Sequence, residues 1–280
     1  MGEVEKTKIG LALGGGVARG AAHIGVLEVL QNEGIAIDMI AGASAGAVVG
    51  AIYAQDNDAT RMKNLVLALD RKAMVSLVDL TLPKTGFVKG KKITDFLRTI
   101  MGGDIEFADL KIPFACVATD VLACEEVVIK EGSVLEGIRA SISIPGVLTP
   151  ARWKGRYLVD GALLSPVPVS VVKEMGADFI IAVNVSPDRH ERALQLGKKG
   201  TKAPQSPNIF SVIMESMQIA GCLLVRACLE EADIVITPHL AHIGSTDFHR
   251  ARECIIQGQK AAQDCIVEIK RRLGEAAGGA

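Results

Sequence analysis

Met39-Ile40-Ala41-Gly42-Ala43-Ser44-Ala45-Gly46-Ala47-Val48-Val49-Gly50 is the stretch whose reading decides this chain. An apolar run feeds into Gly-x-Ser-x-Gly and leaves as a helix-compatible run to Ala54, so one serine sits where a strand turns sharply into a helix. Such a nucleophile elbow demands a strained backbone at the serine. It also demands residues without side chains two before and two after it, where strand and helix approach closely. Gly42 and Gly46 meet that demand, and the alanines at 43, 45 and 47 leave Ser44 as the only polar side chain between Asp38 and Tyr53. A Gly/Ala-rich helix start that uses Ser44 merely as its cap would look similar, so the serine needs partners elsewhere before it carries chemistry.

Upstream, Lys8 to Leu13 reads as a short apolar strand that runs directly into Gly14-Gly15-Gly16-Val17-Ala18-Arg19-Gly20. A helix follows from about Ala21 to Asn32, with Ile24, Leu27 and Leu30 on one stripe, and it ends near Gly34. Asp38 to Ala41 is the second strand. This βαβα alternation implies parallel strands with right-handed crossovers, which puts the glycine loop and Ser44 at the same, carboxyl end of a sheet. Strand, glycines and helix also describe a dinucleotide-binding loop. The glycines at 14, 15, 16 and 20 do not fit Gly-x-Gly-x-x-Gly, however, and Asp38 precedes the second strand where a ribose-binding acid should follow it.

Downstream, helices are expected over Asp58–Lys72, Ile93–Met101 and Ser133–Ala140, and strands over Pro113–Val121 and Glu126–Ile129. Trp153 and Arg156-Tyr157-Leu158-Val159 flank a Lys154-Gly155 hairpin turn, and the second arm ends at Asp160-Gly161-Ala162. A proline-opened helix is expected over Pro166–Met175, then a strand from Phe179. A polar loop follows over Ser186–Pro207, long enough to suggest function or disorder rather than simple connection. A Met-rich helix (Ile209–Glu231), a last strand (Ile234–Thr237) and a terminal helix (Phe248–Leu273) close the chain. No linker divides two cores, so one domain is expected over 8–273, with 1–7 and 274–280 as flexible termini.

Nearly half of the 280 residues are apolar and few are aromatic, which fits a core of small aliphatic side chains around a parallel sheet buried on both faces. The formal net charge of −1, with no basic block, argues against nucleic acid as a partner. The six cysteines, at 116, 124, 222, 228, 254 and 265, form no Cys-x-x-Cys pair and read as reduced, mostly buried thiols. Met1 to Lys8 lacks the apolar core of a signal peptide and no apolar run is long enough to span a bilayer. A cytoplasmic protein is therefore expected.

For Ser44 to attack an acyl carbonyl it needs a base and a set of donors for the oxyanion. The glycine loop offers the donors: backbone N–H groups at a helix N-terminus make a concave, positive site, and losing one such donor typically costs about 3 kcal/mol of transition-state stabilisation. For the base, a triad would draw on His23, His190, His239, His242 or His249, with Asp160 as its acid. That order resembles an α/β-hydrolase, although only one strand precedes the elbow strand here. The other route is a two-residue site in which Asp160 itself takes the proton, which requires burial to raise its basicity. Taken alone, Asp160 reads as the first residue of an ordinary Asp-Gly turn.

Three motifs in order resemble the patatin-like phospholipase family: the loop from Gly14 to Gly20, Gly42-Ala43-Ser44-Ala45-Gly46, and Asp160-Gly161-Ala162. Ala140-Ser141-Ile142-Ser143-Ile144-Pro145 resembles the family's block ahead of the catalytic acid, and Ile243-Gly244-Ser245, Asp247-Phe248 and Gly258 extend the likeness to about Leu273. The resemblance implies a three-layer α/β/α sandwich with a mostly parallel central sheet. It implies a Ser-Asp dyad, with Ser44 as nucleophile and Asp160 as base. It also implies an oxyanion hole from Gly14, Gly15 and Gly16 with Arg19 near it, and no metal or cofactor. Val17 departs from the pattern, standing where many members have a further glycine. Arg19 would contribute structurally or electrostatically rather than by direct proton transfer, its plainer role being a surface ion pair or a clamp on the loop's own carbonyls.

The implied substrate is a lipid or fatty-acyl ester, met through peripheral contact with a membrane. The loop carrying Arg189, Arg192, Lys198, Lys199 and Lys202 is a candidate lid, and Ile213, Met214 and Met217 are a candidate acyl contact. His239, His242, Asp247 and His249 include a His-x-x-His spacing that a metal could use if helical, but Pro238 and Gly244 favour a loop there. An acyltransferase and a non-catalytic lipid-binding regulator on the same scaffold remain alternatives.

Overall fold

Short runs rich in Ile, Val and Ala, each bounded by glycine, proline or a carboxylate, become the strands of one sheet. The computed structural model describes residues 7–68, 90–186 and 209–278, and among these the sheet has eight strands. They are β1 (Ile9–Leu13), β2 (Met39–Ala43), β3 (Phe114–Asp120), β4 (Glu125–Ile129), β5 (Ala151–Trp153), β6 (Arg156–Asp160), β7 (Phe179–Val183) and β8 (Ile234–Ile236). The order is β5-β6-β3-β2-β1-β7-β8, with β4 also on β3. From β3 to β8 the strands are parallel, whereas β4, β5 and β6 are joined by antiparallel pairings.

One feature of this pairing positions the site. Ala118, Thr119 and Asp120 of β3 pair with both β4 and β6, so those two strands occupy opposite edges of β3. Cys116 and Val117 pair with both β4 and β2, which puts β2 on the same edge as β6. Ala43 is opposite Val117 and Asp160 is opposite Ala118, and β6 runs antiparallel to β3. The carboxyl ends of β2 and β6 therefore meet head to head along one edge of β3.

Among the described residues the helices are α1 (Ala22–Asn32), α2 (Ala45–Asp56), α3 (Ala59–Ala68), α4 (Lys91–Met101), α5 (Val134–Ser141), α6 (Val169–Glu174), α7 (Ile209–Leu229) and α8 (Ala251–Gly278). The period of two divides the sheet into unlike faces. Leu11, Leu13, Ile40, Phe114, Ile181 and Val183 pack on the larger core with residues of α1, α2, α5 and α8. Ala12, Ala41, Ala43, Ala115 and Ala182 face the smaller core, where α6 contributes Val169, Val171 and Val172. This is the three-layer α/β/α arrangement expected from the sequence, with small side chains under the thinner layer.

The expected helix over Pro166–Met175 shortens to α6, because Pro168 disfavours the α conformation at Val167 and the chain there stays non-helical. β2 continues past Ala41 to the residue before the serine, and the last helix runs to Gly278. All six cysteines are free, yet only Cys116 and Cys254 are buried, and Cys124 is exposed in the β3–β4 turn at φ 56. Apart from Ser186, the proposed lid lies outside the described residues, as do His190 and the side chains at 213, 214 and 217. No helix among the described residues is long and apolar enough to cross a membrane.

α1 and α8 touch backbone to backbone. A Cβ on Gly258 would lie 2.0 Å from the Ala22 carbonyl oxygen, and one on Gly25 would lie 2.0 Å from that of Ile255. Gly258→Ala should therefore force the helices apart and destabilise the fold by on the order of 2–3 kcal/mol. Chemical denaturation of both proteins checks this; an unchanged midpoint and slope would contradict the close crossing.

Candidate active site

Ser44 lies between β2 and α2 with φ 50 and ψ −116, a strained conformation for any residue with a Cβ. The turn closes only because its flanking glycines lack side chains. A Cβ on Gly42 would be 2.5 Å from the Gly46 carbonyl oxygen, and one on Gly46 would be 2.1 Å from that of Leu13. The Ser44 amide donates to Ser141 Oγ at 2.9 Å, so the fully buried last residue of α5 holds the elbow from the other side of the sheet's end. Ser141 stood in the sequence only as part of a familiar block.

Asp160 arrives on β6 with its backbone fixed at both polar groups: its N–H donates to the Ser143 carbonyl, and its own carbonyl accepts from Thr119 Oγ1. Its Oδ1 accepts the Ala162 amide at 2.9 Å, and its Oδ2 accepts Ser44 Oγ at 2.7 Å. Both side chains are buried, each about 5% exposed. Burial pushes the Asp160 carboxyl up to about 6, and the hydrogen bonds from Ser44 and Ala162 offset only part of that. The serine and carboxylate are bonded directly, with no imidazole between them.

The glycine loop is pinned from several directions. The Gly14 amide donates to the Val183 carbonyl and the Gly15 amide to that of Pro166, while the carbonyls of Gly14 and Gly15 accept from His23 Nε2 and Ser186 Oγ. Gly14 and Gly15, expected to aim their amides at an oxyanion, have both N–H groups committed to the scaffold instead. Their role is spatial: a Cβ on Gly15 would sit 2.9 Å from Ala162 Cβ and 3.4 Å from Ser44 Cβ. The amides of Gly16 and Val17 in the loop, and of Ala45 and Gly46 after the serine, find no acceptor among the described residues. Val17 takes φ 52, the left-handed region where glycine is favoured, so the departure from the family pattern is accommodated by strain.

Arg19 is buried. Its Nε donates to the Ile243 carbonyl at 3.1 Å, and the neighbouring Ala18 amide donates to that of Ser245. The segment from Leu240 to Asp247 thus straps the glycine loop. His239 and His242 stack at 5.6 Å, His242 Nε2 is 2.7 Å from Glu253 Oε1, and Asp247 Oδ2 accepts the Gly244 amide. Among the described residues no three His, Cys, Asp or Glu side chains come together as a metal site.

A family model described as patatin-like phospholipase matches residues 11–173, more than half of the chain and inclusive of both Ser44 and Asp160. The chain belongs to the patatin-like phospholipase family. An uncharacterized NTE family protein of Mycobacterium tuberculosis is 39% identical over 179 residues, 64% of this chain and 49% of that protein. A lysophospholipase of Scheffersomyces stipitis is 29% identical over 266 residues, 88% of this chain and 17% of that protein. The chain thus spans about half the length of the mycobacterial relative and a smaller share of the other. Among solved structures, VipD from Legionella pneumophila shares the fold with a TM-score of 0.52 at 16% identity, covering 94% of this chain and 67% of that one. The strap over the glycine loop lies beyond the matched family segment.

A carboxyl raised from 3.8 to about 6 binds more protons folded than unfolded between those values. Stability therefore falls as pH rises through that window, by on the order of 3 kcal/mol at most, and the penalty is complete above it. Asp160→Asn, which keeps the shape and an acceptor for Ala162, should raise the melting temperature at pH 8 and much less at pH 4. Equal effects at both pH values would contradict the buried charge. Ser141→Ala, which strips the buried Ser44 amide of its acceptor, should lower stability by about 1–3 kcal/mol at either pH.

Proposed function

We propose that this chain is a lipid acyl hydrolase that cleaves fatty-acyl esters through a Ser44–Asp160 dyad and an acyl-enzyme. The observation that carries the reading is the 2.7 Å bond from Ser44 Oγ to Asp160 Oδ2 in a buried, strained elbow. Asp160, with its pKa near 6, is ionised at neutral pH yet more basic than an exposed carboxylate, which suits it to general-base work. The family and the lysophospholipase among its relatives support lipid esters as the substrate class.

In the proposed sequence, Ser44 Oγ attacks the ester carbonyl carbon while its proton passes to Asp160 Oδ2. The carbonyl oxygen becomes an oxyanion facing the amides of Gly16, Val17 and Ala45, of which the last belongs to the residue after the nucleophile. Collapse breaks the bond to the alcohol oxygen, which leaves with the proton from Asp160. Water then attacks the acyl-serine, gives a proton to Asp160, and the second tetrahedral intermediate releases the fatty acid as Ser44 regains its proton. The direct serine–carboxylate bond favours this route over a histidine triad. The lipid would be drawn from a membrane surface without insertion of the chain, and the 8–273 segment would act as a single catalytic domain.

Intact mass after a fluorophosphonate probe tests the reading. Wild type and a His239/His242/His249→Gln triple variant should each gain one adduct, Ser44→Ala none, and Asp160→Asn should react at least about 10²-fold more slowly. On a soluble ester, kcat/KM should rise with pH through about 6, where Asp160 loses its proton. Labelling that survives Ser44→Ala, or that vanishes in the histidine variant, would overturn the dyad.

A further inference from the structure

The imidazole of His23 stands in α1 with no exposed surface, and its Nε2 is 2.7 Å from the Gly14 carbonyl oxygen. A carbonyl only accepts, so Nε2 carries the proton and Nδ1 presents a lone pair. That lone pair is buried without a partner among the described residues. Burial holds the imidazole neutral, with its pKa pushed down to about 4, so the tautomer persists across the working pH range. Packing alone does not account for the residue: an apolar side chain of similar volume would fill the site without leaving a buried nitrogen unpaired.

What the imidazole touches gives the reason. Three consecutive glycines have little conformational preference of their own, so the orientation of their peptides must be imposed from outside. The Gly14 carbonyl and the Gly15 amide belong to one peptide plane, held by His23 on one side and by the Pro166 carbonyl on the other. The Gly14 carbonyl oxygen also lies 2.9 Å from where a Cβ of Gly46 would be, against the first turn of α2. The next peptide has its carbonyl on Ser186 Oγ and its N–H, that of Gly16, without an acceptor among the described residues.

We propose that His23 is a positioning residue for the reaction at Ser44: its Nε2–H fixes the Gly14 carbonyl and, through the glycine loop, aims the Gly16 and Val17 amides at the oxyanion. The inference rests on the reading of Ser44 as a nucleophile. His23, one of the histidines a triad could have drawn on, touches no reacting atom and acts through the loop rather than on the serine.

Gln and Met are close in volume and length but differ in having a donor, so His23→Gln and His23→Met separate hydrogen bonding from packing. The readouts are the rate of Ser44 phosphonylation by a fluorophosphonate, kcat and KM on p-nitrophenyl butyrate, and the melting temperature. His23→Met should lower kcat and the phosphonylation rate about 10²-fold, the scale of an ångström-level misplacement. KM should stay within about threefold of wild type, and His23→Gln should regain at least about tenfold of the loss. Equal losses in the two folded variants, or no loss in either, would overturn the proposal while wild-type labelling leaves the serine reading intact. If His23→Met does not fold, His23→Gln decides: a rate within about tenfold of wild type sustains the proposal, and a deeper loss in folded protein overturns it. Absence of labelling in wild type would remove the nucleophile reading and this inference with it.

Discussion

The buried hydrogen bond between Ser44 and Asp160 is the constraint on which the rest of the arrangement depends. It requires the ends of two strands to meet, and the sheet achieves this by placing β2 and β6 in line on one edge of β3. A purely parallel sheet would put each strand end beside its neighbours but never facing another. The antiparallel return through β5 and β6 is what brings a carboxylate head-on to the serine.

That meeting leaves no space for side chains on the surrounding backbone. A Cβ on Gly42, Gly46 or Gly161 would lie between 2.1 and 2.5 Å from a carbonyl oxygen, and one on Gly20 would lie 2.4 Å from Ala45 Cβ. The glycines are therefore a consequence of bringing strand, elbow and loop within contact. Two residues with side chains, Ser44 and Val17, nonetheless hold positive φ, so the turn stores strain at the atoms where chemistry is proposed. The buried carboxylate adds to that instability, and the large core beneath the sheet offsets both.

The scaffold around the glycine loop is assembled from distant parts of the chain. Val183 ends β7 and Ser186 follows it, Pro166 precedes α6, His23 belongs to α1, and Ile243 and Ser245 lie near the start of α8. The helix pair α1 and α8, locked through Gly25 and Gly258, carries His23, and the Ile243 and Ser245 carbonyls lie just ahead of α8. The C-terminal segment, although outside the matched family region, is thus part of what shapes the loop.

By itself the sequence determined the features whose causes are local. The elbow was legible because a strand-to-helix turn needs glycines at fixed offsets from the serine, and the glycine loop because it interrupts an apolar run before a helix. The three-layer fold followed from βαβ alternation and from the family likeness. Asp160 was legible only through that likeness, since an Asp-Gly pair after a strand ordinarily marks a turn. Which amides remain free was decided by tertiary structure alone. Gly14 and Gly15 lose theirs to Val183 and Pro166, more than a hundred residues away; Ser141 meets the Ser44 amide from 97 residues away, and the His23 imidazole reaches the Gly14 carbonyl only once α1 has folded back beside the loop. A backbone donor carries no residue code for its acceptor, so only the folded arrangement of strands assigns it.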